Sequence, residues 1–359
     1  MTDFRLLPDL ASRALGGGVV YANDEFFAPA ESLVLQADPT YEPHTFGTKG
    51  QVYDGWETRR RREPGHDHAI IRLGAAGIVR GVVIDTAFFT GNFPPQASVE
   101  GCGMEGYPSP AELSAADWFP LLPSSPLQGN HRNVFEVAPA PRVTHVRLSI
   151  YPDGGVARLR VHGDVVPDPR LWIGIVDLAA AENGGRVVLS SNAFYGTPDN
   201  LLAPGMARTM GEGWETARRR DDGNDWVEVQ LGVPGRLRMV EMDATHFKGN
   251  APGWAALQGC AGNPADWFEL LPRTRLQPDT RHRLAIPPAR VVTHVRLDVF
   301  PDGGMARLRL FGEIDGPDLS AATLRWLNAL PRCHARAVLG SNWVDERPLT
   351  EVPASLTAL

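Results

Sequence analysis

The chain has 359 residues, with 35 Lys+Arg against 42 Asp+Glu and a formal net charge of −7. That mildly acidic balance argues against nucleic acid or an anionic membrane as the main partner, because phosphate binding needs a dense basic surface. A hydrophobic content of 43% excludes wholesale disorder, and the length suggests two or three domains.

In chain order, the opening MTDFRLLPDL has neither the basic nor the apolar region of a secretory signal. Residues 69–73 and 79–85 read as short strands, and residues 143–150 as another. In the last of these, a period of two sets His145 and Arg147 on one face and Val146 and Leu148 on the other. Pro152-Asp153-Gly154-Gly155 is turn chemistry, and residues 156–161 alternate again, which together predict a hairpin. A connection between domains is expected near 167–185. Its apolar stretch 171–181 contains Asp177 and is too short to span a bilayer. Strands follow at 227–231 and 239–243, and a second hairpin at 292–310. Residues 320–330 have the spacing of a helix, with Asp318 or Ser320 as N-cap. Glycine (37) and proline (31) are in excess. Many short strands between such turns indicate an antiparallel sandwich or jelly roll. Three cysteines, Cys102, Cys260 and Cys333, show no CxxC spacing. They fit a reducing cytosol, so a cytoplasmic location is expected.

The chain is written twice. Gly55-Trp56-Glu57-Thr58 recurs as Gly213-Trp214-Glu215-Thr216, an offset of 158. The segment Asp85–Asn92 recurs as Asp243–Asn250, and Gly101-Cys102 as Gly259-Cys260, at the same offset. Asp117-Trp118-Phe119 recurs as Asp266-Trp267-Phe268, now at 149. Residues 144–165 recur as 293–314 with 14 of 22 positions identical. The second copy therefore lacks nine residues in the 107–115 region, where a loop is expected. A unit of this length should hold its own core. The expected division is 1–168, 169–316 and a helical tail, 317–359.

Several of these motifs together resemble the allantoicase family. They are Asp54-Gly55-Trp56-Glu57-Thr58-Arg59-Arg60, Asp85-Thr86-Ala87-Phe88-Phe89 with Gly91-Asn92, Tyr151-Pro152-Asp153-Gly154-Gly155, Asp199-Asn200-Leu201-Leu202 and the second Gly-Trp-Glu-Thr. The similarity runs from about Gly16 to Gly312 in the family's order. It implies an all-β chain of two tandem jelly-roll, galactose-binding-like β-sandwiches with a short helical tail. It also implies hydrolysis of allantoate to ureidoglycolate and urea in purine catabolism. The second copy departs from the pattern at Ala244-Thr245-His246, and it has Ala217 where the first has Arg59. In the tail, Leu327-Asn328-Ala329-Leu330-Pro331 with Gly340-Ser341-Asn342-Trp343 and Arg347-Pro348 resembles faintly the opening of a helical decarboxylase of a neighbouring ureide. A docking helix is the simpler expectation.

Allantoate carries a carboxylate and two ureido arms on one carbon. Releasing one arm as urea needs a cation for the carboxylate, an acid for the departing nitrogen and a base or metal for water. The repeated motifs supply those residue types. Asp85, Asp243, Glu57, Glu215 and His246 are the candidate catalytic groups. Arg60, Arg218, Asn92 and Asn250 are the candidates for binding substrate. Each has a structural rival reading. An Asp at a loop start caps its own backbone, and a Glu with a nearby Arg can be a bracing ion pair. His246 replaces Phe88 and can titrate near neutrality. Trp56 and Trp214 are expected as core plugs, His145 and His294 as structural residues, and Cys102 and Cys260 as apolar fillers. His66-Asp67-His68 has the spacing of a metal pair, but its counterpart Asn224-Asp225-Trp226 keeps only the Asp, so a solvated loop is expected. No cofactor is demanded, and a divalent metal is left open. The partner is a small molecule, and a homo-oligomer is expected on general grounds. The alternative function is a tandem galactose-binding-like module that binds a carbohydrate or other small ligand without chemistry.

Overall fold

The computed structural model describes residues 3–263, 265–287, 290–340, 348–353 and 356. Contacts divide the chain into Met1–Pro167 with Leu327–Leu349, and Asp168–Trp326 with Thr350–Leu359.

The first unit has strands β1 (Gly18–Ala22), β2 (Asp67–Asp85), β3 (Gln96–Cys102), β4 (Phe119–Pro126), β5 (Arg132–Glu136), β6 (Val143–Tyr151) and β7 (Arg158–Val165). Five run antiparallel in the order β1-β2-β6-β3-β4. The second half of β2 also lies between β7 and β5, forming the other layer. One strand thus serves both sheets. The two strands expected at 69–73 and 79–85 are a single strand that turns a corner. Its pairing with β6 jumps from Arg72 to Gly77. Gly74 and Gly77 permit the bend, because a Cβ at either would collide with the carbonyl of Leu15 or Asp164.

The second unit repeats the plan with β8 (Val176–Asp177), β9 (Arg186–Ser190), β10 (Asp225–Asp243), β11 (Trp254–Cys260), β12 (Phe268–Arg275), β13 (Arg281–Ala285), β14 (Val292–Phe300) and β15 (Arg307–Glu313). Its layers are β9-β10-β14-β11-β12 and β8-β15-β10-β13. The corner strand β10 jumps from Gln230 to Gly235 against β14.

Alternation decides what each layer buries. Val146, Leu148 and Ile150 of β6, with Leu159 and Val161 of β7, are fully buried between the sheets. In the second unit Val295, Leu297 and Val299 meet Leu308 and Leu310 in the same way. Trp56 and Trp214 are fully buried, as expected of core plugs. Cys102 and Cys260 are buried too, and burial pushes the Cys102 thiol up to about 12, as befits an inert filler.

The hairpins expected around Pro-Asp-Gly-Gly do not form. β6 and β7 pair with β2, not with each other, and the turn carries the chain from one layer to the other. Its Gly155-Val156 pairs instead with Trp56-Glu57. Alternation and a good turn fit both arrangements, so the distant Gly-Trp-Glu-Thr segment decides between them. The 107–115 region holds a short helix, α1 (Pro110–Ser114), closed by a capping box of Ser109 and Glu112.

The tail folds into α2 (Gly316–Ala329) and α3 (Arg332–Leu339). The Arg142 amide of the first unit donates to the Ala329 carbonyl at 2.7 Å. Residues 341–347, which carry part of the decarboxylase-like motif, lie outside the described residues. No helix among the described residues is long and apolar enough to cross a membrane.

Candidate active site

The motifs that recur in both copies converge at one end of each sandwich and lock together. In the first repeat Trp56-Glu57 pairs antiparallel with Gly155-Val156. The Gly154 amide donates to Thr58 Oγ1 at 3.1 Å, and the Gly155 amide to the Asn92 carbonyl at 2.7 Å. Asn92 Nδ2 then donates to Glu57 Oε1 at 2.8 Å. Phe89 lies fully buried beneath, and a Cβ on Gly155 would overlap its ring. The second repeat has the same clasp. Gly303 donates to Thr216 Oγ1 at 3.0 Å, Gly304 to the Asn250 carbonyl at 2.8 Å, and Asn250 Nδ2 to Glu215 Oε1 at 2.7 Å over buried Phe247. Gly154 and Gly303 adopt φ of +139° and +135°, a conformation only glycine takes without strain. Glu57, Asn92, Glu215 and Asn250 are therefore brought together pairwise by folding, from positions 35 residues apart.

Electrostatics single out one of these carboxyls. Burial holds Glu57 above the ordinary glutamate range, and the Asn92 hydrogen bond offsets this only in part. No Arg or Lys pairs with Glu57 among the described contacts. The anticipated ion pair with Arg60 is not formed: Arg60 and Arg218 are exposed, outside these contacts. The arginines one residue further on do the bracing. Arg61 donates its amide to Asp153 at 2.8 Å and meets Asp67 at 2.6 Å; Arg219 does the same with Asp302 at 2.7 Å and Asp225 at 2.8 Å.

Asp85 and Asp243 end the corner strands and are almost fully buried. Asp85 Oδ1 accepts from the Ala87 amide at 2.8 Å, while Oδ2 faces Arg132 at 3.3 Å. Asp243 Oδ1 accepts from the Thr245 amide at 2.9 Å. Each carboxylate thus shapes the start of the loop that delivers Asn92 or Asn250. Next to Asp85 in register stands Arg158, a buried guanidinium that holds the Ala37 carbonyl at 2.9 Å and Asp54 Oδ2 at 2.9 Å. Its counterpart Arg307 holds the carbonyls of Glu212 and Gly205. Alternation in 156–161 sets Arg158 on the same face as Arg160, but its buried partners come from distant loops that no local pattern reveals.

His246 occupies a left-handed position with φ +73°, as Phe88 does with φ +68°. The His246 ring bonds the Ala207 carbonyl through Nε2 at 3.0 Å. A carbonyl only accepts, so Nε2 carries a proton, and in the neutral imidazole the lone pair is on Nδ1. Around Glu57 the aromatic pairs Tyr41–Phe88 (5.4 Å), Tyr41–Tyr53 (5.8 Å) and Tyr53–Phe89 (4.8 Å) stack into a wall. Nothing in the motif spacing announces that wall, because Tyr41 reaches it from a long loop.

His66-Asp67-His68 is not the solvated loop expected. Asp67 is the buried first residue of β2, held by Arg61 and by Asn23 at 3.0 Å. Among the described residues, no three His, Cys, Asp or Glu side chains are grouped to hold a metal ion.

The family model for the allantoicase repeat matches residues 8–166 and again 176–315. The chain belongs to the allantoicase family. A protein of Nocardia farcinica named "Probable allantoicase" is 55% identical over 87% of this chain and 96% of its own length. Another of that name from Streptomyces coelicolor is 50% identical over 87% and 86%. The crystal structure of allantoicase from Saccharomyces cerevisiae superposes with a TM-score of 0.75 at 37% identity, over 85% of this chain and 93% of that one. The two matched allantoicase repeats correspond to the two clasps.

Proposed function

We propose that this chain is a hydrolase that converts allantoate and water to ureidoglycolate and urea. Membership of the allantoicase family over nearly the full length of its relatives carries the reading. In the reaction a water oxygen bonds to the central carbon and one ureido nitrogen leaves. The water loses a proton to a base, and the departing nitrogen gains one from an acid, so no net proton is consumed.

The clasp supports an assignment of these roles. Glu57, desolvated and bonded to Asn92, keeps its proton to higher pH than an ordinary glutamate and serves as the acid for departing urea. Glu215 with Asn250 is its counterpart. The Nδ1 lone pair of His246 suits the base that activates water. Asn92 and Asn250 offer amides matched to ureido groups. Arg60 and Arg218, exposed beside the Glu residues, are available for the substrate carboxylate. Asp85 and Asp243 position the loops between them. A cytoplasmic location fits the cysteines, all three of which are free thiols, and a homo-oligomer rests on general grounds.

The test is incubation of the purified protein with allantoate, with urea and ureidoglycolate measured with and without added divalent metal. Equimolar urea and ureidoglycolate are expected. No urea under any condition would leave the binding-only alternative in possession.

A further inference from the structure

The first repeat carries a cavity outside the clasp. It is an open groove of about 570 Å³ on the outer face of the five-stranded layer, lined by His66, His68, Ser98, Glu100, Arg147 and Tyr151 against an apolar wall of Pro120 and Leu122. Ligand cavities run to roughly 300–1,000 Å³. Apart from His66, which directly precedes β2, its polar groups come from three neighbouring strands, β2, β3 and β6, so their spacing is set by the sheet.

Those groups have unspent hydrogen-bonding capacity. Arg147 stacks on Trp118 at 4.7 Å and meets Glu100 at 2.6 Å. Its Nε and Nη2 contacts both fall on Glu100 Oε2, leaving Oε1 as an acceptor and further guanidinium N–H groups as donors. Ser98 and Tyr151 share one hydrogen bond at 2.9 Å, and the His66 ring lies 4.8 Å from that of Tyr151.

In the second repeat the same positions satisfy one another. Trp226 stands in place of His68 and lies 4.2 Å from the Arg296 guanidinium. Asp298, in place of Ser149, accepts from Asn224 at 2.9 Å, Gln258 at 3.4 Å and Arg296 at 3.2 Å. Arg273, in place of Ser124, covers the Phe300 ring at 4.2 Å. A face that one copy closes with its own side chains is open and polar in the other.

We propose that this cavity is a binding site, one per chain, for a small carboxylate that also bears an amide or ureido group. Glu100 accepts the ligand's N–H groups, Arg147 donates to its carbonyl, and the imidazoles of His66 and His68 donate to its carboxylate. The carboxylate-plus-amide chemistry rests on the cavity. Narrowing the amide to a ureido group rests on allantoate being the substrate.

The test is calorimetric titration of the full chain with N-carbamoylglycine, which carries a carboxylate and one ureido arm but no second arm to lose. We expect one site per chain at this groove, beyond any binding at the clasps. His68→Trp and Glu100→Gln each install the second repeat's own residue. Each should weaken binding by roughly tenfold or more with the circular dichroism spectrum unchanged; the milder Glu100→Gln serves where the tryptophan disturbs folding. The Glu57→Gln/Glu215→Gln double variant should bind as the parent does. No binding at millimolar probe, or binding lost with the two clasp glutamates but kept in His68→Trp, overturns the proposal. Urea release from allantoate is measured on the same preparation. Its absence would refute the hydrolase reading and leave the titration standing as a test of the cavity.

Discussion

In the first repeat Phe88 fills the left-handed position after the corner strand and its ring stacks on Tyr41, while Glu57 in the clasp is desolvated. In the second repeat that position is His246, whose ring is pinned to the Ala207 carbonyl. The clasp underneath is the same in both: a Glu–Asn bond over a buried Phe, with a glycine that leaves room for the ring. Duplication therefore preserved the frame and let the groups around it diverge. The proton-holding carboxyl is marked in one copy and the titratable imidazole in the other. The Glu–Asn bond and the buried Phe are common to the copies, and the residue at the left-handed position differs between them.

That comparison is sharpest for the two glutamates. Glu57→Gln keeps the Asn92 contact but removes the proton, so urea release should fall by about 10²- to 10⁴-fold. Glu215→Gln should cost less, and steady-state rates for both settle the order. An equal loss in the two would mean that the repeats work alike. Phe89→Ala and Phe247→Ala test the shared frame, each costing about 3–5 kcal/mol in denaturant unfolding. A much smaller cost in one repeat would show that its clasp is slack. Asp85→Asn and Asp243→Asn keep the shape of the side chain, and each should lower turnover sharply without unfolding the protein. If both retain full turnover, the strand-end aspartates are only loop caps.

The pH profile follows from the sign of the Glu57 shift. Its folded pKa is raised, so the protonated form is the one the fold favours. The stability this lends is complete below the ordinary glutamate value and is lost as pH rises through the folded value. Turnover should fall on that same rising limb, and Glu57→Gln should abolish the limb. A parent profile without it would remove Glu57 from the acid role. The smallest effects belong to Arg60→Gln and Arg218→Gln. Both side chains are exposed, so stability should change by less than about 0.5 kcal/mol, while KM should rise for the repeat that binds the substrate carboxylate.

The duplication, the sandwich class and the recurring motifs are legible because the period of two and the repeated Gly-Trp-Glu-Thr are local signals. The corner strands are not. Two short apolar runs with glycines between them look like two strands, and only the carbonyls packed on Gly74 and Gly77 make them one. The supposed hairpins failed for a related reason: a turn signal says that the chain reverses, not which sheet receives it. The helix α1 is readable in the sequence, since Ser109-Pro110-Ala111-Glu112 spells a capping box. Within the site, the Glu–Asn partnership spans 35 residues and the Arg158–Asp54 pair 104. Separations of that kind leave no trace in any window of sequence.

Those separations bear on when the protein becomes an enzyme. Thr58 meets Gly154 across 96 residues, so the clasp joins an early segment of the repeat to one near its end. Closing so long a loop costs chain entropy that is recovered only when both layers are in place. Glu57 acquires its desolvated carboxyl at that moment and not before. A chain emerging from synthesis holds an ordinary, solvated glutamate until the last strand of its repeat is docked, so the raised carboxyl arrives with the completion of the fold.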